Sequence, residues 1–440
     1  MIGPHNTIIR GLATALLGSG LAIGAAGVPS PPASAGTVTL NWTTDRAPVS
    51  YRPGETMAFA LQLLEDGRPL TGKRLQWRRF GDDQQTDRGE AISSAAQPLR
   101  ITISIDRPGF VRLEIAIFNH DGSPLLDAAG KPVKFAGGAG VEPEKLEGTP
   151  EPADFDAFWR TQKARLAKVP MTAVLKEVPA PDPQFQLFDV RVGCAGGKPV
   201  SGYLAVPKGA QPKSLPAQVS FHGYGVGSAK AQCHRPGRLV FDFNTHGIDN
   251  GREPNYYQVL KDGELKGYAF QKNGNAKPET AYFNGMMLRA MRALAFIKSR
   301  PEWDGRTLIV SGGSQGGFLA LSAAALDPAV TECTVTKPWC CDLGGITVGR
   351  LRGWRPDWAG GLGYYDPVNQ AKRITCKTVV AAGLGDAVCP PSGLSVLYNH
   401  LKGPKTIEYI QGSTHGYDPP RPQRQTITAN LPAAAGRGER

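Results

Sequence analysis

Along the first third of the chain, apolar and polar positions alternate. "LRITISI" puts Leu99, Ile101, Ile103 and Ile105 on one side and polar residues on the other, a period of two that predicts a half-buried strand. "TVTLNW", "TMAFALQLL", "RLQWRRF" and "FVRLEIAIF" are runs of the same kind, parted by turn residues, with no helical period among them. They predict a small immunoglobulin-like β-sandwich over residues 36–148, with "GGAGVEPEKLEGTPEPA" (137–153) read as linker.

The period then changes. Phe155, Phe158, Trp159 and Leu166 lie near helical spacing behind Asp154, a candidate N-cap. "LFDVRV" and "VSGYLAV" read as a hairpin, and "AQVSF", "RLVFDF", "TLIVSG", "VTECTV", "TVVAAGL" and "KTIEYI" as further strands. Helical runs fall over "TAYFNGMMLRAMRALAFIKSR", from Ser314 to Leu326, and near Leu394 to Leu401. Strands alternating with helices predict an α/β domain over 149–418, a mostly parallel sheet with helices on both faces. Ligands of such sheets sit beyond the carboxyl ends of the strands. Residues 419–440, rich in Pro, Arg, Ala and Gly, predict a disordered tail.

Composition adds location and narrows the partners. Residues 1–35 carry a single charge, Arg10, an apolar run from Gly11 to Val28 and "ASA" at Ala33 to Ala35. This is the pattern of a cleavable signal peptide, and its apolar run falls short of the ~20 residues a membrane span needs. A secreted or periplasmic protein is expected, without stable membrane insertion after cleavage. The net charge of +12 is dispersed, with "GRLRGWRPDW" (Gly349 to Trp358) the one local block of basic and aromatic residues, so no nucleic-acid partner is predicted. Seven cysteines permit disulfides in an exported chain but leave at least one unpaired. None has zinc spacing, so no metal is expected.

Candidate chemistry follows three of the strands. "IVSGGSQGGFLALSAAALDP" (309–328) runs from a strand through G-x-S-x-G into a helix former, the elbow that lifts a serine hydroxyl above a sheet. Gly312, Gly316 and Gly317 would supply the close backbone approaches around Ser314. Asp386 follows "TVVAAGL" and His415 follows "KTIEYI", giving the order Ser, Asp, His of hydrolases on such sheets. His415 is the expected proton acceptor and Asp386 the residue that orients it, with Asp342, Asp366 and Asp418 as competitors. The oxyanion donors are expected to be the backbone amide of Gln315 and, from "VSFHGYGVG" (219–227), that of Tyr224. His222 reads as a structural hydrogen-bonding residue.

"PADFDAFW", "FHGYG", "MRALAFIKSRPEWDG", "SGGSQGGFLAL", "GLGDAVCPP" and "GPKTIEYIQGSTHG" together resemble the acetyl xylan esterase and cephalosporin C deacetylase family of α/β-hydrolases across residues 150–417. The resemblance implies a triad of Ser314, Asp386 and His415 and oxyanion amides from Tyr224 and Gln315. Two departures stand out. The family's Arg-Gly-Gln is replaced by "THGI", with His246 in the arginine's place, and Gly416 follows His415 where glutamate is usual. The joint loss suggests a rebuilt site.

The expected activity is removal of acetyl or other short acyl groups from carbohydrate hydroxyls, through an acyl-enzyme and without metal or organic cofactor. The substrate would be an acetylated oligo- or polysaccharide. Tyr224, Trp339 and Trp354 are candidates to line the sugar-facing mouth, and Arg350, Arg352 and Arg355 to attract an acidic sugar or to stand as solvated loop residues. A serine peptidase of prolyl oligopeptidase type and a catalytically silent carbohydrate-binding protein are the alternatives.

Overall fold

The computed structural model describes residues 37–430. The expected leader over 1–35 and residues 431–440 lie outside the described residues. Alternation in the first third folds as antiparallel sheets. β1 (Val38–Thr44), β2 (Met57–Glu65), β3 (Arg68–Pro69), β4 (Arg74–Gly81), β5 (Thr86–Ile92), β6 (Leu99–Ile103), β7 (Gly109–Phe118) and β8 (Lys134–Val141) form two of them. One joins β1, β2 and β3, with β6 also on β2; the other has the order β5-β4-β7-β8. Phe59, Leu61, Ile101, Ile103, Leu113, Ile115 and Phe135 share one buried cluster.

The expected linker is strand for its first five residues. Gly137 to Val141 complete β8 and are largely buried. A Cβ on Gly137 would strike the Gln411 side chain and one on Gly138 the carbonyl of Leu384. Gly138 therefore marks a close approach of backbone to backbone and Gly137 one of backbone to side chains, and their turn-like composition has another cause than a turn.

After α1 (Phe155–Ala167), β9 (Ala173–Val178), β10 (Phe185–Val192), β11 (Val200–Pro207), β12 (Leu215–Phe221) and β13 (Leu239–Asn244) build one side of a second body. α2 (Pro254–Asp262), α3 (Lys272–Asn275) and α4 (Tyr282–Lys298) lead to β14 (Trp303–Gly313) and α5 (Gln315–Leu326). β15 (Glu332–Thr336), α6 (Pro367–Ala371), β16 (Lys377–Gly383), α7 (Pro391–His400), β17 (Lys405–Ile410) and β18 (Arg424–Ala429) complete it. The sheet has ten strands in the order β18-β17-β16-β15-β14-β12-β13-β11-β10-β9. Its centre, from β13 to β17, is parallel, while β9 to β11 and β18 run antiparallel at the flanks.

Two expectations are corrected here. Arg424–Ala429, assigned to a disordered tail, is an edge strand in register with β17. Its "RQTITA" alternates half-buried and exposed positions, a pattern the flanking Pro and Arg conceal. Helices also do not cover both faces of the central strands. In β15 Cys333 and Val335 are buried but Thr334 and Thr336 exposed, and in β12 and β14 Ser220 and Ser311 are only half-buried. One face packs under helices, and on the other the side chains of β14 to β16 are half-buried or exposed. "TECTVT" is the period-two signature of a strand with one wet face.

Candidate active site

β14 ends in the elbow. Ser314 has φ +53°, a left-handed value for a residue with a side chain, and such strain persists only where its surroundings enforce it. Backbone on both sides does so here. The Ser314 amide donates to Thr336 O at 3.0 Å, and Ser314 O accepts from the Trp339 amide at 2.9 Å. A Cβ on Gly312 would collide with the Gly316 backbone, and one on Gly316 with the carbonyl of Phe221. The tight fit sets the start of α5 against the exit of β12. Gln315 and Tyr224, the two expected oxyanion donors, belong to these adjoining segments, and neither amide donates to a protein acceptor among the described residues.

Asp386 and His415 arrive at the same rim. His415 Nε2 lies 3.0 Å from Ser314 Oγ, and His415 Nδ1 lies 3.0 Å from Asp386 Oδ2. Asp386 is fully buried, and its other oxygen accepts the amides of Val388 at 2.7 Å and Cys389 at 2.9 Å. The carboxylate can only accept, so Nδ1 carries the proton and Nε2 is left to accept from the serine. The rival aspartates have other work. Asp366 takes the amides of Asp342, Leu343 and Val368, and burial beside Asp342 pushes its carboxyl up to about 7. Asp342 pairs with Arg350, and Asp418 with Lys337. Ligand atoms of Asp386, Cys389 and His415 lie within 4.8 Å of one another, a set of types that could hold a soft divalent cation.

At the two positions where the sequence departs from the pattern it resembles, the structure supplies contacts of its own. His246 is buried, with Nε2 2.9 Å from Gly225 O and Nδ1 2.8 Å from the Tyr282 hydroxyl. A carbonyl only accepts, so Nε2 is the protonated nitrogen and Nδ1 receives the Tyr282 hydroxyl proton. Burial, and secondarily Arg289, lowers this imidazole to about 4, so it is neutral in ordinary conditions. Beside it Tyr268 donates to Gln315 Oε1 at 2.6 Å and accepts from the Gly225 amide at 3.3 Å. The loop after β12 is thus tied to both His246 and the first residue of α5. At the histidine loop, Lys337 Nζ donates to Thr414 O at 2.6 Å and Asp418 Oδ1 at 2.8 Å. The role of His246, Tyr268 and Lys337 was not legible beforehand, since each acts across elements distant in sequence. His222 pairs with buried Asp242, in keeping with a structural part.

The aromatic candidates separate. Tyr224 stacks on Tyr268 at 4.6 Å and meets Trp354 edge-on at 4.8 Å. Trp354 is 44% exposed, whereas Trp339 is fully buried; Trp339 lies under the other two and does not line a mouth. Each arginine has an internal partner: Arg350 with Asp342, Arg352 with Asp357, and buried Arg355 with Cys341 O. All seven cysteines are free thiols.

The Asp386 and His415 loops are backed by the first third of the chain. The Gln411 side chain, fully buried, accepts from the Gly138 amide at 2.9 Å and donates to Gly138 O at 2.6 Å. A Cβ on Gly385 would collide with the carbonyl of Ala136. Phe110 of β7 packs on Tyr409 of β17 at 5.8 Å. Asp82, just past β4, is buried and accepts from the amides of Phe110 and Leu351, both at 2.8 Å. Its desolvation raises it to about 6.

The acetyl xylan esterase family model matches residues 145–350 and 358–429, more than half of the chain. Acetyl esterase Axe7A of Xylanibacter ruminicola is 28% identical over 283 residues, 60% of this chain and 64% of its own length. The chain therefore spans slightly less than two thirds of that curated relative. The solved acetyl xylan esterase from Paenibacillus sp. R4 is 30% identical with a TM-score of 0.51, the match covering 62% of this chain and 93% of that one. No described helix is long and apolar enough to cross a membrane.

Proposed function

The chain belongs to the acetyl xylan esterase family, and from that premise we propose that it is an exported serine esterase that removes acetyl groups from carbohydrate hydroxyls through an acyl-enzyme. The observation that carries the reading is the hydrogen-bonded succession Ser314–His415–Asp386, with both steps at 3.0 Å. Substrate class rests on the family and on the acetyl esterase relative. Export rests on the leader-like residues 1–35.

As Ser314 Oγ attacks the ester carbonyl, its proton passes to His415 Nε2, and buried Asp386 stabilises the imidazolium that forms. Charge developing on the carbonyl oxygen is met by the amides of Gln315 and Tyr224, fixed before reaction by the glycine contacts and the Tyr268–Gln315 bond. His415 returns the proton to the departing sugar hydroxyl, leaving acetyl on Ser314. Water then attacks that ester with His415 again accepting a proton, and Ser314 recovers its own as acetate leaves. No step calls on a metal or organic cofactor.

We read residues 37–141 as an immunoglobulin-like sandwich. The strand order β5-β4-β7-β8 opposite β1-β2-β6 supports this, since it corresponds to C′-C-F-G against A-B-E in that fold.

The test is acetate release from acetylated xylo-oligosaccharide by the whole chain and by Ser314→Ala. The serine variant should lose several orders of magnitude in kcat, and mass spectrometry of the quenched wild type should show one added acetyl group at Ser314. Equal rates in the two proteins would remove Ser314 from the reaction. Release of amine from matched amides without acetate release from esters would turn the reading to a peptidase.

A further inference from the structure

The family match begins only after the β-rich residues before 145 and is interrupted by the short stretch 351–357. They meet each other. Leu351, the first residue of the short stretch, donates its amide to Asp82 of the β-rich part at 2.8 Å. The same carboxylate takes the Phe110 amide and lies 3.4 Å from Ser392 Oγ on α7. The turn that presents Asp82 is stiffened by buried Arg79, which forks onto Asp83 and donates to the carbonyls of Gln85 and Ser104. Next to Leu351, a Cβ on Gly349 would run into the Gln84 side chain of this turn.

The pinned segment carries Trp354 across the rim of the site. Its amide donates to Val388 O at 3.0 Å, two residues beyond Asp386. Its ring meets Tyr224, on the oxyanion side, and stacks over Trp339 at 5.5 Å. One indole face is thus anchored from below while the residue stays 44% exposed. A flat apolar face beside a nucleophile suits the C–H face of a sugar ring and offers nothing specific to a small acyl group.

We propose that the stretch Leu351–Asp357 is a platform for the sugar ring of the ester, and that Asp82 is a positioning residue which holds it there on behalf of the β-rich part. The inference rests on the esterase reading and assigns the β-rich part a share in substrate selection. Asp82 touches no reacting atom. Its removal should act on recognition of the alcohol, not on acyl transfer.

The experiment compares acetylated xylo-oligosaccharide with ethyl acetate, whose alcohol has no ring. Asp82→Asn should raise KM for the oligosaccharide about tenfold, the size of one lost aromatic stack, while kcat with ethyl acetate stays within about twofold. Trp354→Ala, at an exposed position that does not endanger folding, should raise the same KM by a similar factor. In the Trp354→Ala background, Asp82→Asn should add nothing further, because the two act through one element. An equal fall on both substrates, or an Asp82→Asn effect of undiminished size without the indole, would overturn the proposal. Absence of acetate release from either substrate by the wild type would instead sink the esterase reading itself.

Discussion

The Ser314 side of the candidate site is built from the sheet's own backbone. Ser314 is held by the carbonyl of Thr336 at the end of the next strand and the amide of Trp339 just past it, and by glycines within two residues that admit the β12 exit. On the other side, Asp386 and His415 stand on loops whose far surface rests on β8 and β7, through Gly138 with Gln411, Ala136 with Gly385, and Phe110 with Tyr409. One end of the Ser314–His415–Asp386 succession is thus self-supporting, and the other is supported by a part of the chain that the family match does not reach. A part added in front of a catalytic body can be a spacer. Here its strand β8 occupies the place of a structural wall.

Deleting residues 37–141 breaks this comparison most severely. A spacer could be removed with little loss. A wall could not, because Tyr409, Gln411 and Gly385 would lose their covering and His415 its registry with Ser314. Misplacement on the scale of 1 Å costs about a hundredfold, so acetate release should fall by at least about that factor. The control is reactivity of Ser314 toward a fluorophosphonate: retained acetate release in the deletion protein would show that the two halves are equally autonomous.

What could be read from the sequence divides along the same line. Ser314, its glycines and the strand before it lie within a few consecutive residues, and the elbow was legible because its geometry is local. Asp386 and His415 could be found by their order after strands, although nothing in the sequence says what holds them. Gly137 and Gly138 read as linker because glycine signals both a turn and a close approach, and only the fold decides between them. The bare face of the central sheet was present in the alternation of "TECTVT", but the general rule that parallel sheets are covered on both sides obscured it. His246 could be noted only as a departure; its bonds to Gly225 and Tyr282 join segments 21 and 36 residues away.

A smaller change sharpens the picture without removing the wall. Gln411→Ala leaves the amide and carbonyl of Gly138 buried and unpaired, which should cost about 3 kcal/mol in urea unfolding. If β8 positions the histidine loop, kcat should fall as well, by about tenfold, since a loosened loop misaligns the imaginary line from His415 to Ser314. Stability lost with kcat unchanged would make the contact a fastener and nothing more.

The smallest effect expected is on the self-supporting side and depends on pH. His246 in the folded chain titrates at about 4, against about 6.5 for a histidine in the unfolded chain. At neutral pH both states are uncharged and the residue contributes no slope. As pH falls through 6.5 the unfolded chain takes up a proton that the folded chain refuses, so stability drops, and the loss levels off once the folded imidazole also titrates near 4. At 1.36 kcal/mol per unit this amounts to about 2 kcal/mol by about pH 5. Asp82 and Asp366 slope the other way: their folded carboxyls, raised to about 6 and about 7, bind protons before the unfolded ones do, so acid favours the fold through them. The wild-type curve mixes these contributions, and the difference from His246→Gln isolates one of them. The glutamine can still donate to Gly225 O and accept from Tyr282, but it cannot titrate. Denaturation at about pH 7.5 and about pH 5 should therefore show the variant gaining about 2 kcal/mol on the wild type as the pH is lowered, whereas parallel curves would mean that His246 is not the neutral, buried tie of the loop after β12.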